Sequence, residues 1–395
     1  MATSLHNATA SCLVTASFDP LSVTDAVRGC RSRLGGRPDL AIVFVSSDYL
    51  SHLEELIEIL QIDGHAAAIV GASAEGLYGV GVEHENASGI SMLFMRFPDT
   101  SIDIQLGPAD SGASFQSAPT LDGEVPPGGR LILGNPLHTD LSDQLKQFNT
   151  SLPKLPVVGG LIRGGPSPDD LFLFTELGPT VEASISIQFT GGVKLLPIVS
   201  QGCRPIGDPL VVTGASRNQI LTMGRKEALS VLEETFDRLA EQERNDAVGN
   251  VFAGLAITET VDDFATGHFV IRHIVSADLA EGRLMLDSPA RIGQTMQFQL
   301  RESGAATAAL ISECRRAKAT GADPIGALFF GGYGRGRCLF GEANHDVSTF
   351  HDEFGEVPLS GIFTNGEIGP VAGRNFRHDH SLCCALFLDS HDSTL

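Results

Sequence analysis

Two arginines on stiff, glycine-bounded bends are the residues of this sequence best suited to gripping a ligand. Arg204 sits in Gly202-Cys203-Arg204-Pro205-Ile206-Gly207 and Arg335 in Gly334-Arg335-Gly336-Arg337. A planar guanidinium on a rigid loop can hold a carboxylate through two parallel hydrogen bonds; an ion pair between domains would use the same residues equally well. Carboxylates that could answer an ammonium group lie in two further glycine turns, Glu75 beside Ser73 in Gly71 to Gly76, and Glu367 beside Asn365 in Thr364 to Gly369. Each could instead cap or brace its own turn. The expected ligand site is therefore Ser73, Glu75, Cys203, Arg204, Arg335, Asn365 and Glu367, with turn amides completing it around an amino acid or similar small polar metabolite.

Chemistry beyond binding has weaker support. A guanidinium beside Cys203 favours the thiolate that a nucleophile needs, but no base for it can be named. His378 and His380 stand two apart in Arg377-His378-Asp379-His380, a spacing that rarely shares a helix face, and no third ligand or zinc spacing accompanies them. None of the turns, including Gly159 to Gly165, contains G-x-x-x-x-G-K-[ST]. No catalytic residue, metal or cofactor is assigned. A hydrolase using Cys203 or Glu367, and a protein-interaction scaffold with a vestigial pocket, are the alternatives to a ligand-binding protein.

The elements that must position these turns recur along the chain. Leu40 to Val45 is an apolar, β-branched run, Leu53 to Leu60 has helical periodicity, and Ala68-Ile69-Val70 leads into the Gly71 turn. The pattern returns as Leu131-Ile132-Leu133, a helix near Leu141 to Phe148 and Pro156-Val157-Val158 before Gly159. It returns again as Ala327 to Phe330, a helix at Val347 to Phe354 and a strand leading to Thr364. Ile90 to Met95 and Ser381 to Leu388 add a strand to the first and last copies, so the unit reads as β-α-β-β. Strand ends and their glycine turns are where such units usually take ligands.

Elsewhere, Ala183 to Phe189 and Val193 to Val199 predict a hairpin around Gly191-Gly192, and Arg225 to Arg244 predicts the longest helix. The stretch from Val251 to Leu300 holds further strands. The fold class is mixed α/β (α+β) in two tightly associated domains, 1-210 and 211-395.

Composition narrows the partners. Forty-eight acidic against 27 basic residues give a net charge of -21, a surface that repels nucleic acid and anionic lipid. Seven scattered cysteines without disulfide spacing suit a reducing compartment. The start, Met1-Ala2-Thr3-Ser4-Leu5-His6-Asn7, lacks a secretory signal, and no run reaches the roughly 20 apolar residues of a membrane span. The expected location is cytoplasmic, with no membrane and no nucleic-acid partner.

These residues resemble the FIST family, named for F-box and intracellular signal transduction, over nearly the whole chain. The amino-terminal pattern is carried by Pro38 to Ser46, Gly71 to Gly81 and Pro156-Val157-Val158-Gly159-Gly160. The carboxy-terminal one is carried by Gln201 to Gly207, Gly334-Arg335-Gly336 and Pro358 to Pro370 around Asn365-Gly366-Glu367-Ile368-Gly369-Pro370. Two places depart: Phe329-Phe330-Gly331-Gly332-Tyr333 stands where a cysteine or asparagine is usual, and Arg301-Glu302 where Arg-Asp is usual. The resemblance implies a sensory domain for small ligands such as amino acids, joined in eukaryotic relatives to an F-box. With little room here for an F-box or a kinase, it implies signalling through a separate protein partner or a homo-oligomer.

Overall fold

The computed structural model describes residues 6–86, 88–108, 127–258 and 269–390. Residues 1–5 of the amino-terminal stretch and 259–268 of the Val251 to Leu300 stretch lie outside them. The described residues are 26% helix and 45% strand, a mixed α/β fold in which neither class dominates. It divides into two compact units, one of residues 1–200 with 310–395 and one of residues 201–309. The expected boundary near residue 210 falls inside the continuous strand Cys203–Ser216, and the second unit is an insertion whose polypeptide returns to the first.

Three six-stranded sheets build the first unit among the described residues. Each contains one parallel pair with a third strand antiparallel beside its first member. Leu40–Val45 pairs in parallel with Ala68–Ser73 and antiparallel with Ile90–Arg96. Pro127–Gly134 pairs in the same way with Val157–Leu161 and Ser184–Gly191. Gly326–Gly332 does so with Leu359–Thr364 and Leu382–Asp389. The apolar runs become central strands because both of their faces are covered: every residue of Leu40–Val45 and of Gly326–Gly332 is buried.

One core joins the three sheets, bringing together Phe44 and Leu93, Leu131 and Val158, and Phe330 and Phe387. A second core lies under the helix Pro20–Leu34, where Val23, Val27, Cys30 and Leu34 repeat at helical spacing and are buried. That helix starts at Asp19, whose carboxylate accepts from the Ser22 amide, and ends at Gly35 with φ 67°. The left-handed stop suits glycine, which carries no Cβ to clash.

The second unit is a seven-stranded sheet among the described residues, with its own core around Phe298, Met296, Leu284 and Val212.

Two expectations are corrected. The two strands flanking Gly191-Gly192 are not a hairpin: Ser184–Gly191 pairs with Thr100–Gly107 and Pro127–Gly134, while Val193–Ser200 pairs with Leu382–Asp389 in a different sheet. Alternating apolar residues satisfy any neighbouring strand, and here the chain changes sheets at the glycines. The stretch from Arg225 to Arg244 is not one helix either. It breaks into Ala228–Asp237 and Glu241–Ala247, the second started by the Glu243 carboxylate accepting from the Ala240 amide. The longest helix among the described residues is Ser303–Ala319, which buries small residues, Ala306, Cys314 and Ala317, around Leu310.

Candidate functional site

The second parallel strand of each three-strand arrangement ends in a glycine turn, and these three turns meet although they leave three different sheets. Ala74 and Arg163 form an isolated parallel bridge. The Leu161 amide donates to the Gly366 carbonyl (2.8 Å), and the Asn365 amide donates back to Leu161 (2.9 Å). So close an approach needs residues without side chains. A Cβ on Gly159, whose φ is 157°, would lie 1.8 Å from the Ile132 carbonyl oxygen, and one on Gly160 would lie 2.7 Å from the Thr364 methyl.

Arg163 ties the junction together. Its Nε donates to the Glu75 carboxylate and its Nη1 to Asn365 Oδ1 at 2.9 Å. The same guanidinium lies 3.5 Å from the centroid of the Tyr333 ring, a cation–π contact. Tyr333 follows the strand Gly326–Gly332, and its amide donates to the Thr364 carbonyl at 3.1 Å. One residue from each turn, with an aromatic from the strand beside them, thus forms a single connected group. About a quarter of the Arg163 and Glu75 side chains is open to solvent.

Tyr333 also belongs to the wall of a cavity of about 120 Å³, with Gly76, Glu85, Asn86, Cys338 and Phe363. Glu85 lies at the end of the strand Val82–Glu85, and its carboxylate accepts weakly from the Arg337 amide at 3.2 Å. Cys338 is exposed. Phe363 stacks on Tyr78 with ring centroids 4.5 Å apart.

Behind these residues in the chain lies a buried charged group. Arg335 donates from Nε and Nη2 to the two oxygens of Asp346, both at 2.7 Å, and neither side chain has any exposure. Burial opposes the charges of both. Asp346 nevertheless holds the guanidinium above its ordinary range, and Arg335 holds the Asp346 carboxyl below its own. Glu83 Oε1 accepts from the Asp346 and Val347 amides at the start of the helix His345–Phe354, while Oε2 is buried without a partner. Burial, and then the Asp346 charge, push the Glu83 carboxyl up to about 7, against the pull of those amides.

The expected site residues separate into three groups. Glu75 and Asn365 come together, linked by Arg163. Ser73 is buried as a brace, its hydroxyl accepting from the Phe172 amide at 3.0 Å. Glu367 is buried too, accepting from the Ser381 amide (2.7 Å) and the Thr364 hydroxyl (3.0 Å), with its carboxyl pushed well up by burial and by Asp379. Arg335 is committed to Asp346. Cys203 and Arg204 belong to the second unit. There Arg204 reaches Glu243 (2.6 Å) and Glu302 (3.0 Å), and Cys203 is buried among Phe252, Ala256, Phe269 and Ile271.

Arg163, Tyr333 and Glu85 were missed by the sequence reading. The usable signal was that Arg163 is the only charged residue of the Gly159 to Gly165 turn. No group of three or more potential metal ligands gathers among the described residues, and no described helix is long and apolar enough to cross a membrane.

Comparison with known families matches a FIST N domain to residues 39–226 and a FIST C domain to residues 228–370. The two matches meet at residue 227, away from the limits of the compact units. Among relatives, the uncharacterized protein Rv0628c of Mycobacterium tuberculosis is 31% identical over 379 residues, 93% of this chain and 96% of the relative. The uncharacterized protein Mb0898c of Mycobacterium bovis is 37% identical over 260 residues, 66% of this chain and 67% of the relative.

Proposed function

From the premise that this chain belongs to the FIST family, whose domains serve sensing and signal transduction, we propose that its first unit is a receptor for a small polar metabolite. The ligand seats in the cavity beside Tyr333. The observation that carries this reading is the Glu75–Arg163–Asn365 group, which joins three glycine turns and rests on a ring of the cavity wall. An occupant pressing on Tyr333 would be felt at Arg163, and through it by strands of three sheets. A small event at one wall would then bias the packing of a much larger body.

Amino acids fall within the proposed ligand class. The cavity of about 120 Å³ is smaller than the roughly 150 Å³ that holds benzene, so the ligand is a small one. We further propose that the three strand arrangements are copies of one β-α-β-β unit, and that the signal passes by association with a protein partner or a second copy of the chain in the cytoplasm. Arg335 and Arg204, each already paired to carboxylates, have no direct ligand contact in this reading.

A thermal-shift screen of amino acids, organic acids and amines tests it, because a ligand that binds only the folded state raises the melting temperature. The same screen on Cys338→Trp, which fills the cavity from an exposed position, serves as control. Stabilisation of the native protein that disappears in the variant is expected. A flat response, or one that survives the substitution, would refute the receptor.

A further inference from the structure

We propose that the cavity recognises its ligand through an ammonium group, with Glu85 as the counter-charge and Tyr333 and Phe363 as aromatic walls, so that small primary amines bind and carboxylates do not. The inference rests on the receptor reading above and narrows its ligand class.

The charge lining the cavity has one sign. Glu85 is its acidic residue, and among the described residues no arginine, lysine or histidine belongs to the wall. Two of the nearby cations are engaged. Arg163 is held by Glu75 and Asn365, and Arg335 is held at two points by Asp346. Arg337 reaches only to within 4.0 Å of Glu85 and has its side chain 69% exposed. A ligand carboxylate inside the cavity would thus lose water without a guanidinium in the described wall to receive it, and would face Glu85 at close range.

An ammonium group meets the opposite conditions. Glu85 offers a carboxylate that among the described residues is met only by long contacts from Arg337, its amide at 3.2 and 3.4 Å and its Nε at 4.0 Å. Aromatic faces attract cations through their negative charge, and Tyr333 already serves one, the Arg163 guanidinium. Glu83 stands two residues before Glu85 on the same strand, so both project to the same side, and its Oε2 is buried without a partner. The volume of about 120 Å³ sets the scale: a short alkyl chain fits, whereas a long or branched one does not.

Calorimetric titration of the full-length protein with n-butylammonium, 1-butanol, butyrate and alanine separates charge from shape, with Glu85→Gln and Cys338→Trp as variants. n-Butylammonium is expected to bind at least about tenfold tighter than its neutral counterpart 1-butanol, the scale of one hydrogen bond to a charged group. Butyrate should not bind, Glu85→Gln should erase the preference, and Cys338→Trp should abolish binding. The comparison within the native protein holds even if a variant fails to fold. Tighter binding of butyrate or alanine, lost in Cys338→Trp, would overturn the ammonium preference and leave the receptor standing. No binding by any of the four, or binding indifferent to Cys338→Trp, would overturn this inference and count against the receptor as well.

Discussion

Arg335 and Asp346 face each other through two hydrogen bonds of 2.7 Å with neither side chain exposed, and this pairing turns an apparent ligand-gripping arginine into an internal fastening. Removing one partner leaves the other charge buried alone, which costs about 3–5 kcal/mol. Asp346→Asn is expected to lose stability on that scale in urea denaturation. The double substitution Arg335→Met with Asp346→Leu should lose distinctly less, since it strands no charge. Equal losses in both would show that packing, and not charge pairing, dominates there.

Glu83 should leave a mark on the pH dependence of stability. Its carboxyl is raised from 4.5 to about 7 in the folded protein, so the native state binds this proton more tightly than the unfolded chain does. The benefit is complete below about 4.5, declines as pH rises, and is gone above about 7. The difference amounts to roughly 3 kcal/mol. Asp346 acts in the opposite sense, because its lowered carboxyl contributes stability that is lost as pH falls below the ordinary aspartate range. Glu83→Gln should flatten the decline between pH 5 and 8 in melts across that window. An unchanged slope would place the titration elsewhere.

Arg163 separates a structural link from a functional one. Its pair with Glu75 is about a quarter exposed, so Arg163→Ala should cost only about 1 kcal/mol. Ligand-induced stabilisation should nevertheless fall severalfold, because Tyr333 loses the cation resting on its ring. Thermal melts with and without a stabilising compound read both quantities. A large loss of stability with intact ligand response would reverse the assignment.

Cys338 is the exposed thiol of the seven, while Cys314, Cys383 and Cys384 are buried and their thiols are pushed up by that burial, Cys314 to about 12. Iodoacetamide under native conditions should therefore modify Cys338 first, since the thiolate is the reacting form. A compound occupying the cavity that Cys338 lines should slow the reaction. Mass mapping of the alkylated peptide, with and without compound, checks both.

Much of the architecture could be read before any coordinates. The runs Leu40 to Val45, Ala68 to Val70 and Ala327 to Phe330 are strands because their composition permits burial on both faces. Glycine turns marked where strands end and backbones can approach, and the Gly71, Gly159 and Thr364 turns do meet. What escaped was pairing. Nothing in the spacing of Arg335 tells that Asp346, eleven residues on, will take both of its donors. Nor does anything in Arg204 announce Glu243 and Glu302. The Gly191-Gly192 bend failed for a similar reason, because alternation fixes which face of a strand is buried and leaves its neighbour open. Ser303–Ala319 was not taken as the longest helix, a place given to Arg225 to Arg244, because small residues pack a helix without a strong apolar stripe.

The most direct test of the receptor is a crystal structure grown with the compound that raises the melting temperature most. The account predicts that compound enclosed by Tyr333, Phe363 and Glu85, with Arg163 still bound to Glu75 and Asn365 or visibly displaced from the Tyr333 ring. The compound bound at any other place, with the cavity unoccupied at saturation, would contradict it.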